Sequence, residues 1–231
     1  MDKIFAGIIQ AIQMIFTADQ EIWSVTWLTL KISGIATLLS VSVGIPIGIF
    51  LATKKFRGRK ILISLFNTGM GLPPTVVGLW VSLFLWRYGP FGKLNIMYTP
   101  AGMMIAQFII ACPIVIAFSI AAIQSIRLGI HNQIKVLGAS NIQYYYLLIK
   151  EAKLALMAAV IAGFGGVISE VGASMMVGGN IKGQTRVLTT ATVMEVSKGN
   201  YELAIALGTL LLLLAYGVTS LLTILQQREL K

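Results

Sequence analysis

Five long apolar runs organise this chain, at 27–51, 61–86, 101–126, 154–176 and 203–225, and the stretches between them hold nearly all of the charge. The first is interrupted only by Lys31, the second and third carry no charged residue, the fourth contains Glu170, and the fifth includes five consecutive leucines. A helix needs about 20 predominantly apolar residues to cross the hydrocarbon layer, so the pattern predicts five transmembrane helices. Ahead of them, Ile4, Phe5, Ile8, Ile9, Ile12, Ile15 and Phe16 recur at helical spacing. Asp2 beside Lys3, with Gln10 and Gln13 further on, does not resemble a basic start followed by a clean apolar core, as a cleavable signal would. This segment is expected to form a short amphipathic helix on the membrane surface. The fold class is therefore an all-α integral membrane protein, with residues 1–231 forming a single transmembrane domain.

Composition agrees. Apolar residues make up 57% of the chain and charged residues 11%, against about 25% charged in a soluble domain. Lys and Arg give a net charge of +10, but they sit between apolar runs instead of on one soluble face, which speaks against nucleic-acid binding. Their distribution sets an orientation. Lys54, Lys55, Arg57, Arg59 and Lys60 crowd the first connection. Arg127, Lys135, Lys150 and Lys153 lie in the third, and Arg228 and Lys231 in the tail. These eleven face Lys3, Arg87, Lys93, Lys182, Arg186 and Lys198 on the other side, which puts the N-terminus outside and the C-terminus in the cytoplasm. Trp23, Trp27, Trp86 and Tyr88 fall near the outer ends, where amphipathic rings are favoured.

Several runs are punctuated. Pro46 lies between Gly44 and Gly48, and Pro73-Pro74 follows Gly69 and Gly71. Such residues either bend helices for packing or frame a pathway, and Gly163, Gly165 and Gly166 permit close helix contact. The first three runs hold no Asp, Glu or His, so the chain lacks the buried ionisable residues an ion-coupled transporter uses. Glu170 is the one candidate, with an ion pair to Lys182 or Arg186 as its structural alternative. The run Gly178-Gly179-Asn180-Ile181-Lys182-Gly183-Gln184-Thr185 approaches a phosphate-binding loop. However, Gln184 stands where Lys must reach the phosphates, and no strand precedes it. With His131 the sole histidine and Cys112 the sole cysteine, no nucleophile–base pair or metal cluster assembles, and the chain is not expected to be an enzyme. Cys112 reads as a packing residue.

The connection at 127–153 is long for a hairpin. It carries apolar and aromatic positions at helical spacing around Gly138-Ala139-Ser140. A glycine there ends one short helix and turns the chain into another, and apolar side chains beyond the bilayer need a cover. That cover is either the membrane surface or a docked partner.

At this connection the chain resembles the permease subunits of ABC importers, whose coupling loop has a Leu-Gly-Ala-Ser core matched by Leu137, Gly138, Ala139 and Ser140. Gln133-Ile134-Lys135 stands where that loop often has Glu-Ala-Ala. Ile168-Ser169-Glu170-Val171-Gly172-Ala173-Ser174, Met176-Val177-Gly178-Gly179-Asn180-Ile181, Leu188-Thr189-Thr190-Ala191 and Gly71-Leu72-Pro73-Pro74 resemble the molybdate and tungstate branch, most of all its tungstate-type members. The resemblance implies a type I importer-like core and a homodimer in a bacterial or archaeal plasma membrane. It also implies two cytoplasmic ATP-binding subunits, an extracytoplasmic oxyanion-binding protein, and no cofactor on this chain, with ATP and Mg on the partner ATPase. Coupling would fall to Leu137, Gly138, Ala139, Ser140, Asn141 and Tyr144. The pathway would be lined by Thr75, Ser169, Glu170 and Ser174, with Lys182 and Arg186 at the outer mouth. The competing expectations are a molybdate or sulfate permease within the class, and outside it a passive anion channel or secondary anion transporter.

Overall fold

A computed structural model describes Phe5, Gly7, Ile9, Gln13 and residues 20–228. The expected amphipathic N-terminal helix lies outside the described residues except at those first four positions, which are helical. Ten α-helices follow: α1 (Gln20–Thr53), α2 (Arg59–Gly69), α3 (Pro74–Leu85), α4 (Pro100–Gln124), α5 (Leu128–Val136), α6 (Asn141–Glu151), α7 (Lys153–Ile168), α8 (Gly172–Gly178), α9 (Leu188–Ser197) and α10 (Tyr201–Arg228), with a 3-10 turn at Gly92–Leu94. Among the described residues, only α1, α4 and α10 are long and apolar enough to cross a membrane unbroken. The second and fourth expected spans are bent pairs: α2 and α3 meet at 103°, and α7 and α8 at 59°. Counting each pair as one span gives five.

The centre of the molecule is the packing of α1 on α4. Ile32, Ala36, Ser40, Gly44 and Gly48 recur every four residues on one face of α1 and are buried, a stripe of mostly small side chains that lets two backbones approach closely. A Cβ on Gly44 would lie 2.9 Å from Val115, and one on Gly48 would lie 2.5 Å from Ser119 and 3.0 Å from the Ile116 carbonyl. The buried hydroxyls of Thr37 and Ser40 fold back onto their own backbone, Thr37 Oγ1 donating to Ser33 O at 2.7 Å and Ser40 Oγ to Ala36 O at 2.8 Å, so the burial of those two leaves no donor unpaired. Gly44 and Gly48 thus serve packing, and Pro46 sits inside a continuous helix. On the opposite face Trp23, Trp27 and Leu38 are exposed, and Lys31 shares that surface. At roughly 50 Å, the 34-residue α1 exceeds a hydrocarbon layer of about 30 Å, so Lys31 can reach the interface beside the tryptophans.

Pro73-Pro74 acts differently from Pro46. Two consecutive residues without N–H end α2 and start α3, with Pro73 as N-cap and Pro74 in the first turn. Gly69 lets α2 settle on the proline inside α4, its Cβ position lying 2.8 Å from Pro113.

Gly48→Val is expected to lower stability by about 1–3 kcal/mol through overpacking against Ser119 and the Ile116 backbone. Gly34→Ala, where a Cβ meets nothing within 4 Å, should be neutral or slightly stabilising. Thermal unfolding of the two variants in one detergent compares them directly.

Candidate functional site

The two bends lie against each other. Gly172, at the start of α8, packs on the Thr75 side chain, and a Cβ on Gly78 would lie 2.6 Å from Ala173 Cα. The half-helices α3 and α8 therefore run side by side from their bends, covered by Val77, Val81, Leu85, Ala106, Ile110, Ala173 and Val177. Thr75 and Ser169 are exposed at the paired bends, whereas Glu170 and Ser174 are buried beside them. The Ala173 N–H donates to Glu170 Oε1 at 2.6 Å, and Thr189 Oγ1 donates to the Glu170 carbonyl at 3.0 Å. Glu170 thus caps a short helix and anchors α9, with its carboxylate turned into the protein. Ser174 Oγ accepts from Gln107 Nε2 at 3.4 Å. Four of the six pathway candidates thus come together.

The other two do not join them. Lys182 Nζ lies 2.6 Å from Glu21 Oε2, and Arg186 approaches the same carboxylate at 3.7 Å. The expected alternative partner, Glu170, makes no ion pair among the described residues; the cations bind the start of α1 instead. The loop that carries them is closed by Thr185, whose hydroxyl donates to Gly178 O at 2.6 Å and accepts from Ile181 N at 3.0 Å. Gly179, Asn180 and Gly183 all have positive φ, which gives the glycines of the near-miss phosphate motif a turn-forming role. Glu21, Lys182, Arg186, Met194, Glu195 and Lys198 border a cavity of about 300 Å³. Glu195, nearly buried, accepts from Lys198 Nζ at 2.8 Å and Asn200 Nδ2 at 3.1 Å. The hydrogen bond from Lys198 holds its carboxyl below the usual range, against the opposing effect of burial and with help from Asn200 and Arg186.

The connection at 127–153 forms an elbow. Helix α5 ends with the Gly138 N–H donating to Lys135 O at 3.0 Å and the Ala139 N–H to Ile134 O at 3.3 Å, while Gly138 takes φ +75°. This pair of bonds around a left-handed residue is a Schellman close. Helix α6 starts at once with a capping box: the Gln143 N–H donates to Ser140 Oγ at 3.4 Å, and the Ser140 N–H to Gln143 Oε1 at 2.9 Å. Ile134 and Leu148 anchor the two arms in a buried cluster with Ile49, Ile123, Ile126 and Leu156. His131 Nδ1 and the Tyr144 hydroxyl share a 2.8 Å hydrogen bond between the arms. Burial, then the neighbouring Tyr145, pushes the Tyr144 hydroxyl above its ordinary pKa, so it stays protonated at neutral pH. The tip faces outward: Val136, Leu137 and Ile142 are 86%, 85% and 82% exposed, and Asn141 is exposed beside them. All six coupling candidates therefore lie on one elbow, with Tyr144 bracing it and Leu137 at its point.

Glu21, Glu195, Gln107 and His131 were not among the sequence candidates. Gln107 carried a readable signal, as a large polar residue in an otherwise apolar run. Glu195 carried one too, with Lys198 three residues on at helical spacing, whereas Glu21 carried none, since its partners lie far away in sequence.

A membrane bundle with two bent spans and an apolar elbow outside it defines a transport permease. The chain matches the model of the binding-protein-dependent transport system inner membrane component family over residues 44–231, and it belongs to that family. It is 36% identical over 227 residues to the tungstate uptake system permease protein of Peptoclostridium acidaminophilum, covering 98% of this chain and all of that one. It is 33% identical to the tungstate uptake system permease protein of Campylobacter jejuni, covering 94% of this chain and 90% of the other. A probable anion ABC transporter permease protein of Haloferax volcanii is 38% identical, over 86% of this chain and 88% of that relative. The fold is that of a solved methionine ABC transporter in inward-facing conformations, with TM-score 0.66 and 18% identity over 94% of this chain and 95% of the other.

Because the folded-state pKa of Glu195 is lowered, its contribution to stability is present above the ordinary carboxylate value of about 4.3. That contribution fades as pH falls through the lower folded-state value. Glu195→Gln should therefore melt lower than the parent protein at neutral pH, with the gap narrowing as the solution is acidified. Melting temperature against pH for both proteins checks this, and a gap that widens in acid contradicts it.

Proposed function

We propose that this chain imports a tetrahedral oxyanion, tungstate first and molybdate next, as the membrane-spanning subunit of an ATP-driven transporter. In this reading two copies form the pathway, two cytoplasmic ATP-binding subunits supply the energy, and an extracytoplasmic protein delivers the anion. The N-terminus is outside and the C-terminus in the cytoplasm. The observation that carries the reading is the elbow. Its arms are fixed to the transmembrane core by Ile134 and Leu148, while its tip holds Val136, Leu137 and Ile142 out toward a partner. A passive channel has no use for such a lever. The choice of anion rests on the two tungstate uptake relatives and the anion permease relative, with molybdenum permeases more distant, at 26% identity and below.

Mechanically, closure of the ATP-binding subunits pushes on the elbow, and the anchored arms tilt α1, α4 and α7. ATP shifts the balance only because the two conformations bind the nucleotide machinery with different free energies. The paired bends suit a dianion: Thr75 offers an exposed hydroxyl there, Ser169 can add its own by releasing the Gly165 carbonyl to which it donates at 2.9 Å, and the Glu170 carboxylate is tied to the Ala173 N–H and turned away. Lys182 and Arg186 add positive potential at the outer mouth, reduced by their pairing with Glu21. Ser174 supports the site through Gln107. Selectivity among oxyanions resides mainly in the delivering protein.

At Gly138 a Cβ would meet nothing within 4 Å, yet φ is +75°, so a substitution there acts on conformation without a clash. Gly138→Val should lower ATP-driven tungstate uptake by about tenfold or more, since a left-handed L-residue costs about 1–2 kcal/mol and β-branching makes it worse. Gly138→Asn, which tolerates that conformation, should retain most of the uptake, with both variants inserted normally. Wild-type uptake in the valine variant rejects the elbow as the coupling device. For orientation, an impermeant amine reagent should label Lys182 from outside, and Lys55, Lys60 and Lys150 only after the membrane is opened. The reverse pattern rejects the topology.

A further inference from the structure

Where α6 lies against the basic end of α1, the two helices enclose a cleft of about 330 Å³ that no part of the described chain fills. It is lined by Ile45, Pro46, Ile49 and Phe50 of α1 and by Tyr145 and Ile149 of α6. Phe50 and Ile149 are about half exposed at its mouth. The walls are almost wholly apolar, yet the rim is cationic. The Phe50 and Phe56 rings meet at 5.6 Å between centroids, so the chain leaving α1 returns to the cleft's mouth at Phe56, with Lys54 and Lys55 on the short stretch between the two rings.

The cations on that stretch are not equivalent. Arg59, further along, donates its Nε to Leu51 O at 2.6 Å and so closes the end of α1. Lys54, Lys55 and Arg57 are exposed, and among the described residues none of them makes an ion pair. Lys150 is exposed next to the lining residue Ile149. An apolar slot at a bilayer boundary, bordered by unpaired cations, calls for a ligand that is apolar along its length and anionic at one end.

We propose that the cleft between α1 and α6 is a binding site for an anionic phospholipid. One acyl chain lies against Ile45, Ile49, Phe50 and Ile149, and the phosphate headgroup is held by Lys54 and Lys55. A second copy of this chain is a poorer occupant: with 18 Lys and Arg against 8 Asp and Glu, it offers little negative charge to meet this rim. Cations just outside a span attract anionic lipid, and burying methylenes in the slot adds an apolar contribution. Seated there, the lipid would stiffen the joint between α1 and the elbow. The site is independent of the proposed cargo. That it belongs to the cytoplasmic leaflet follows from the proposed orientation.

The test is native mass spectrometry of the full-length chain, extracted with whatever subunits accompany it and exposed to equal amounts of phosphatidylglycerol and phosphatidylcholine. The parent protein should retain phosphatidylglycerol in preference. The double variant Lys54→Gln/Lys55→Gln should lose that preference by roughly tenfold or more, and Ile149→Trp, which fills the slot, should lower retention of both lipids. Should the tryptophan variant fail to extract in folded form, Tyr145→Trp provides a milder probe. Its added fluorescence, read against the parent's, should be quenched more by brominated phosphatidylglycerol than by brominated phosphatidylcholine. Equal retention of the two lipids by the parent overturns the proposal, as does an unchanged preference in the lysine variant or equal quenching by the two brominated lipids. Loss of another copy or subunit from Ile149→Trp with lipid retention intact reassigns the cleft to a protein contact and likewise overturns it.

Discussion

Inside a bilayer no water stands ready to take an unpaired N–H or C=O, so an interruption of a helix there must find every freed group a partner within the protein. At the interruption around Glu170 several of them do. The Glu170 N–H donates to Val167 O at 3.2 Å, its carboxylate receives the Ala173 N–H, and its carbonyl receives the Thr189 hydroxyl. At the other bend the Met70, Gly71 and Leu72 N–H groups turn back onto Phe66, Thr68 and Gly69 carbonyls. Each bend is tolerable partly because the other lies against it: Gly172 and Gly78 leave room for Thr75 and Ala173, so α3 and α8 shield one another. The exposed hydroxyls of Thr75 and Ser169 result from that arrangement. A pair of straight helices would have presented an unbroken apolar wall.

The same logic, run in reverse, shapes the opposite pole. Beyond the bilayer the chain has water to satisfy its backbone, and what it lacks is cover for apolar side chains. The elbow divides its apolar residues between two tasks. Ile134 and Leu148 enter the buried cluster at the base of α1, α4 and α7, while Val136, Leu137 and Ile142 are left outside it. Gly138 makes this division possible by reversing the chain within a single residue. The Ser140–Gln143 capping box starts the second arm without a spacer, and the His131–Tyr144 bond fixes the two arms together. A stiff lever rooted in the transmembrane core can carry force; a flexible hairpin of the same length could not.

Much of this was legible in the chain itself. The five apolar runs could be read because a hydrocarbon solvent leaves a long, uniform signature, and the elbow could be read because a glycine followed by a capping box is local chemistry. The bends were only half legible. Pro73-Pro74 announced one, but Pro46 looked similar and sits in a continuous helix, since tolerance of a proline depends on what packs around it. In the fourth run Glu170 marked a special place but not a break, because one of the groups that satisfies it, the Thr189 hydroxyl, comes from α9.

The charged candidates separate along the same line. Lys182 and Arg186 could be placed in one segment between two apolar runs from their order in the chain, but their partner Glu21 lies more than 160 positions away, and no local pattern reports so distant a contact. The sequence by itself determined the solvent, the five apolar runs and the place of the elbow, because each depends on the chemistry of neighbouring residues. Only the tertiary structure decided which prolines break a helix, which glycines serve packing, and which charges meet. Those outcomes depend on atoms brought together from remote parts of the chain, where space and unsatisfied polar groups are settled jointly.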